Sequence, residues 1–378
     1  MGGTDTYFTM KDGTISDNTS TGYGGGGVYV NGGTFTMEKG MISGNKATGN
    51  NNNGGGVYVD GYTFNMNGGT ISGNEAIKDG GGVYVTGTSG TFAMSGNSKI
   101  SENKTTGNEG NGGGVYVDTF CQFTMSGDSE ISGNTTQKQG GGVFVADMCA
   151  FTMSGNSKIS ENKANGDNSN GGGVSNSGSG TFEMNGGKIQ GNEAAYYAGV
   201  RVDGGSFTMK AGEISGNKAN QSIGGVYVYS ATFTMSGGKI VDNTASETCG
   251  GVRVLSSTFN LSGEVDISSN KAGNADKNVV LSDGQIITIQ GELKNANPIG
   301  VSFSSALTGD TVFTSDYGSK MSNADPAKYF KSEQDGYGVF KNETSNEAML
   351  AKIAIETGFK DETIDIEGVK YTGKEIKP

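Results

Sequence analysis

The chain has no histidine and no tryptophan, only two arginines and three cysteines, and no proline before Pro298. Each shortage narrows what it can be. A catalytic thiol needs a base such as histidine beside it, and none exists here. Three cysteines do not make a disulfide framework. Strands inside a sheet need every N–H for the ladder, so the lack of proline suits a chain built from internal strands. No apolar run approaches the roughly 20 residues that cross a bilayer as a helix, so no direct membrane insertion is expected. Positive charge is scarce as well, with a net charge of −12 and a pI near 4.6, which argues against nucleic acid and anionic membrane surfaces as partners.

What the chain has is glycine, 69 residues of it, and a repeat. Gly-Gly-Val-x-Val, then Phe-x-Met, then Ile-x-x-Asn-x-small recurs with a mean period of about 28 residues. Phenylalanine stands in phase from Phe8 and Phe35 to Phe259, followed two residues on by Met10, Met37 and so on to Leu261. Asparagine closes each unit at Asn18, Asn45, Asn74, Asn103, Asn134, Asn162, Asn192, Asn217, Asn243 and Asn270. Each period holds three short segments of alternating apolar residues separated by Gly, Ser, Asn and Asp, which is the pattern of strands and not of helices. An apolar fraction of 33% would suggest disorder in an aperiodic chain, but in-register apolar columns require packing.

A 28-residue unit cannot bury its own apolar face, and stacking identical units can. The fold expected is all-β: a right-handed parallel β-helix of about ten rungs with three strands per rung, rising about 4.8 Å per rung. A β-propeller or a leucine-rich repeat fits less well, since the period is short for a blade and the leucine pattern is missing. The asparagines are expected at a turn with their amides inward, bonded to one another as a ladder, because a buried amide must be satisfied. The Ala, Thr or Ser two residues beyond each asparagine suits a tight corner. The period breaks at Pro298, so the expected divisions are a β-helix over 1–296, a cap over 297–355 and a linker opening a further module over 356–378. Met1 opens in mid-repeat, as expected of a fragment.

Three features could carry function. The residue between the two valines reads Tyr29, Tyr58, Tyr84, Tyr116 and Phe144, then changes to Ser175, Arg201, Tyr227 and Arg253. Alternation places it on the solvent side, giving an aromatic ribbon roughly 20 Å long that serves either recognition or stacking stability. Loops 48–53, 105–111 and 165–170 are three residues longer than those between them and would protrude on every second rung, as binding loops or tolerated insertions. Cys121 and Cys149 share one phase in adjacent rungs, close enough for a disulfide or simply two inward thiols. No catalytic, cofactor or metal site is expected. Three residues after each first valine the column reads Asn31, Asp60, Thr86, Asp118, Ala146, so no two adjacent rungs supply a carboxylate pair.

The Gly-Gly-Val and Ile-x-x-Asn pairs resemble the GGA[ILV] and FxxN tetrapeptides of chlamydial polymorphic outer membrane proteins, with Ile where that motif has Phe. They are more closely similar to adhesin-like repeat proteins of Firmicutes and spirochaetes. The resemblance covers about 270 residues. The end, Tyr371 to Pro378, resembles the opening strand of bacterial Ig-like repeats. These resemblances imply a non-enzymatic adhesin or interaction module displayed outside the cell on a bacterial surface, contacting a host glycan, a host surface or matrix protein, or another copy of itself. A structural spacer and a polysaccharide-active enzyme are the rivals.

Overall fold

The computed structural model describes residues 6–49, 52–322 and 324–353, with the backbone of 365–366 and 369–370. It is a parallel β-solenoid with three faces. Among the described residues, the valine face is a twelve-stranded parallel sheet running from Val28–Val30 to Phe330–Ser332. The Phe-x-Met and Ile segments lie together in an eighteen-stranded sheet.

The third face differs from the expectation. The small residue after each asparagine is not a corner but the inward half of a two-residue strand, from Thr19–Ser20 to Lys271–Ala272. Ala47 and Ala219 are buried there while their partners Lys46 and Lys218 face out. Asparagine itself makes the corner.

Pairing puts like on like: Phe35 on Phe64, Met37 on Met66, Val57 on Val83. From Phe8 to Phe259 the phenylalanine rings stack 4.7–5.2 Å apart, with planes within 14° of parallel. Each such contact contributes about 0.5–1.5 kcal/mol beyond simple burial. The paired glycines have a steric origin: a Cβ on Gly114 would lie 2.7 Å from Gly142 O and 2.9 Å from Ile131 Cγ2.

The asparagines form one hydrogen-bonded line. Asn103 donates from its backbone N and from Nδ2 to Asn134 Oδ1, at 2.9 and 3.0 Å, and Nδ2 also reaches Ile71 O in the rung before. The same bonds recur along the rod. The line then leaves the repeat: Asn270 donates to Asn278 Oδ1, and Asn278 donates to the carboxylate of Glu333.

Regular stacking also passes residue 296. Ile299–Phe303 pairs with Val279–Leu281, Phe330–Ser332 pairs with Ile299–Phe303, and Thr314–Ser315 joins the phenylalanine face. Over this end lie an antiparallel three-stranded sheet, Thr311–Val312, Ala348–Lys352 and Tyr337–Lys341, and a helical turn, Tyr317–Lys320. Phe313, Tyr317 and Phe330 close the core. Within 297–355 the chain therefore both adds rungs and covers them. Most of the segment 356–378, with the end that resembles an Ig-like strand, lies outside the described residues.

Candidate functional site

The aromatic column is continuous. Tyr29, Tyr58, Tyr84, Tyr116 and Phe144 stack with centroids 4.8–5.2 Å apart, turning from edge-on at Tyr29–Tyr58 to nearly parallel at Tyr116–Phe144. It is less open than alternation predicts. Tyr29 is 36% exposed and Tyr58 and Tyr116 are half-buried, but Tyr84 and Phe144 are only 7% and 8% exposed.

The cover is a glycine bulge. In these rungs the residue three before the first valine is left-handed: Gly54, Gly80, Gly112 and Gly140 have φ between +64° and +68°. That conformation folds the chain over the root of the ring, and a Cβ on Gly80 or Gly140 would stand 2.8 Å from Cβ of Tyr84 or Phe144. After Gly171 the bulge disappears, while the line of bridges that begins at Gln139 and Asn170 continues through Tyr197, Ile223 and Cys249. The chemistry of the column has already changed at Ser175, whose rung still carries the bulge at Gly171. Ser175 and Arg201 both donate to Gln139 Oε1, at 3.2 and 2.9 Å, Arg201 pairs with Asp203, and Tyr227 stacks on Tyr197 at 4.0 Å.

Acids line one side of the column. Tyr29 donates its hydroxyl to Asp60 at 3.2 Å, and Asp118 accepts from Tyr84 at 2.8 Å and from Thr86 at 2.9 Å. Burial first, then the charge of Asp60, pushes the Tyr58 phenol up to about 12. Burial and Asp118 raise Tyr84 further. These phenols stay protonated, and Tyr84 donates to Asp118.

Cys121 and Cys149 are free thiols, so the bridge is not made. Each donates to a carbonyl of the preceding rung, Cys121 to Gly87 O at 3.0 Å and Cys149 to Asp118 O at 2.7 Å, instead of facing the other sulfur. Burial pushes them up to about 12 and about 11. The longer loops fold back on themselves: Gly110 N donates to Gly107 O, and Ser169 N donates to Gly166 O.

On the phenylalanine face, Asp128, Glu130, Asn156, Lys158 and Lys188 line a hollow. Its acids are engaged, Asp128 by Asn156 at 3.0 Å and Glu130 by Lys99 at 3.3 Å. Among the described residues no group of three or more Cys, Asp or Glu is placed to hold a metal ion, and no helix is long and apolar enough to cross a membrane.

Two residues escaped the reading of the sequence. Phe120 and Met148 are 51% and 52% exposed, each three residues before a column phenylalanine. At that phase other copies have Gly61, Gly204, Ser230 and Ser256, so a small-residue column interrupted by Phe and Met was the available signal. No family model, curated protein or solved structure matches the chain.

Proposed function

We propose that this rod is a non-enzymatic interaction module, an adhesin displayed on a bacterial surface, whose valine face makes the contact. The observation that carries the reading is the tyrosine column with its carboxylate edge. Partly exposed rings at Tyr29, Tyr58 and Tyr116 offer flat apolar surface, and Asp60 and Asp118 offer hydrogen-bond acceptors at its margin. That pairing suits a host glycan, whose rings stack on aromatics and whose hydroxyls seek acceptors, and it also suits a host surface or matrix protein. The asparagine ladder and the phenylalanine stack hold this face rigid, so little order has to be imposed on binding.

The spacer reading is favoured by one specific observation, the burial of Tyr84 and Phe144 beneath the glycine bulge, which makes part of the column a packing element. Binding of the purified chain to arrayed host glycans and matrix proteins decides between them. The Tyr29→Ser/Tyr58→Ser variant should keep its thermal midpoint within a few degrees and lose a saturable signal that the parent shows. Absence of any signal from the parent would favour the spacer.

A further inference from the structure

In the turn from the valine strand to the phenylalanine strand, the residue three before the column phenylalanine is left-handed in several rungs, and in most of these it is small. Gly61 and Gly204 have φ of +74° and +82°, and Ser230 and Ser256 have +47° and +49°. In two successive rungs it is large. Phe120 stands there at φ +65° and Met148 at +55°, in the same phase because Gln122 pairs with Ala150. A residue with a bulky side chain is disfavoured in this region, and strain of that kind persists where the surroundings impose it and concentrates at ligand-contacting positions. Burial does not compensate here, since both side chains are about half exposed.

Their surroundings are acidic. Asp118 and Asp147 stand in the same two turns. Both are fixed in place: Asp118 accepts from Thr119 N at 2.8 Å and from the hydroxyls of Tyr84 and Thr86, and Asp147 Oδ1 accepts from Ser179 N. The side chains at this edge thus form an apolar step, about 4.8 Å from one rung to the next, with a rigid anionic rim. A second copy carries the same acids and a net charge of −12, so it meets this edge with like charge.

We propose that Phe120 and Met148 form a docking point for a protein segment of opposite character, an apolar side chain flanked by lysine or arginine. Phe120 supplies a rigid anchor, and the flexible thioether of Met148 adapts to what is seated on them. The site goes beyond the tyrosine column and fails separately from it, because Tyr29→Ser/Tyr58→Ser leaves this turn intact.

The test is selection of a random peptide library on the full chain, with counter-selection on the Phe120→Gly/Met148→Gly variant. Glycine suits the left-handed turn, so this variant should melt at the same temperature as the parent or higher. Phe120→Ser/Met148→Ser, which installs the residue found at Ser230 and Ser256, is the second variant. The expected peptides carry an aromatic or aliphatic residue between basic ones. They should bind at least about tenfold more weakly to either variant, and more weakly to the parent at high salt. Peptides that survive counter-selection, or that lack basic residues, would overturn the proposal. So would sedimentation showing a dimer that disappears in the variants, since the occupant would then be a second copy.

Discussion

Asparagine is the residue that this fold cannot replace, because each amide gives and receives at once. Asn103 Oδ1 is the acceptor shown for Asn74 N and one of three for Asn74 Nδ2, beside Ile42 O and Ser72 O, and Asn103 donates to Asn134 Oδ1 and Ile71 O. Asn103→Leu would strand Asn74 N and leave Asn74 Nδ2, Asn134 Oδ1 and Ile71 O each short of one bond, a cost of about 3 kcal/mol. Ser101→Ala, on the outward side of the same rung, should cost under about 0.5 kcal/mol. Urea midpoints of the two variants check this, and equal midpoints would refute the inward ladder. The thiols make a second residue-level prediction. Burial raises Cys121, Cys149 and Cys249 from 9.0 to about 12, 11 and 12. The unfolded chain releases these protons first, so the stability they contribute is fully present below pH 9 and is lost as pH rises through 11 to 12. The fall in unfolding midpoint between pH 8 and pH 11 should therefore be smaller in Cys121→Ala/Cys149→Ala than in the parent.

The element that organises the candidate face is the glycine bulge, and it has a clean test. Gly112 and Gly133 share φ +64°, but a Cβ on Gly112 would meet Val115 O at 2.6 Å and Tyr116 Cβ at 2.9 Å, while the nearest atom to one on Gly133 is 3.8 Å away. Gly133→Ala should cost the left-handed penalty alone, about 1 kcal/mol. Gly112→Ala should cost that and the clash, roughly 2 kcal/mol or more, as the difference in thermal midpoints would show. At this scale the sequence was readable wherever a column repeats. The valine, phenylalanine and isoleucine strands and their registers follow from phase alone. The third face was misread because its strands are two residues long, too short to show alternation at Lys46–Ala47. The burial of Tyr84 was not legible because it depends on the backbone angle of Gly80, and glycine in a sequence does not declare its φ. Phe120 and Met148 were hidden in the opposite way. They break a column of small residues, and attention goes to columns that hold.

As a whole the molecule is a rod whose interior is ordered by repetition and whose described C-terminal end is finished by residues that do not repeat. Phe313, Tyr317, Phe330 and Glu333 are each unremarked by the period, yet they close the stack and the ladder. Glu333 fits because a carboxylate only accepts, and Gly300 leaves it room, since a Cβ there would fall 1.8 Å from Oε1.

The ladder also has a direction. Every asparagine donates toward the C-terminal end, from Asn18 to Asn45 and onward to Glu333. Translation by one rung maps each bond onto the next, so a whole unit can be gained or lost with every donor still meeting an acceptor, whereas a fraction of a unit cannot. Length in this architecture is therefore counted in integers, and the terminator is independent of the count.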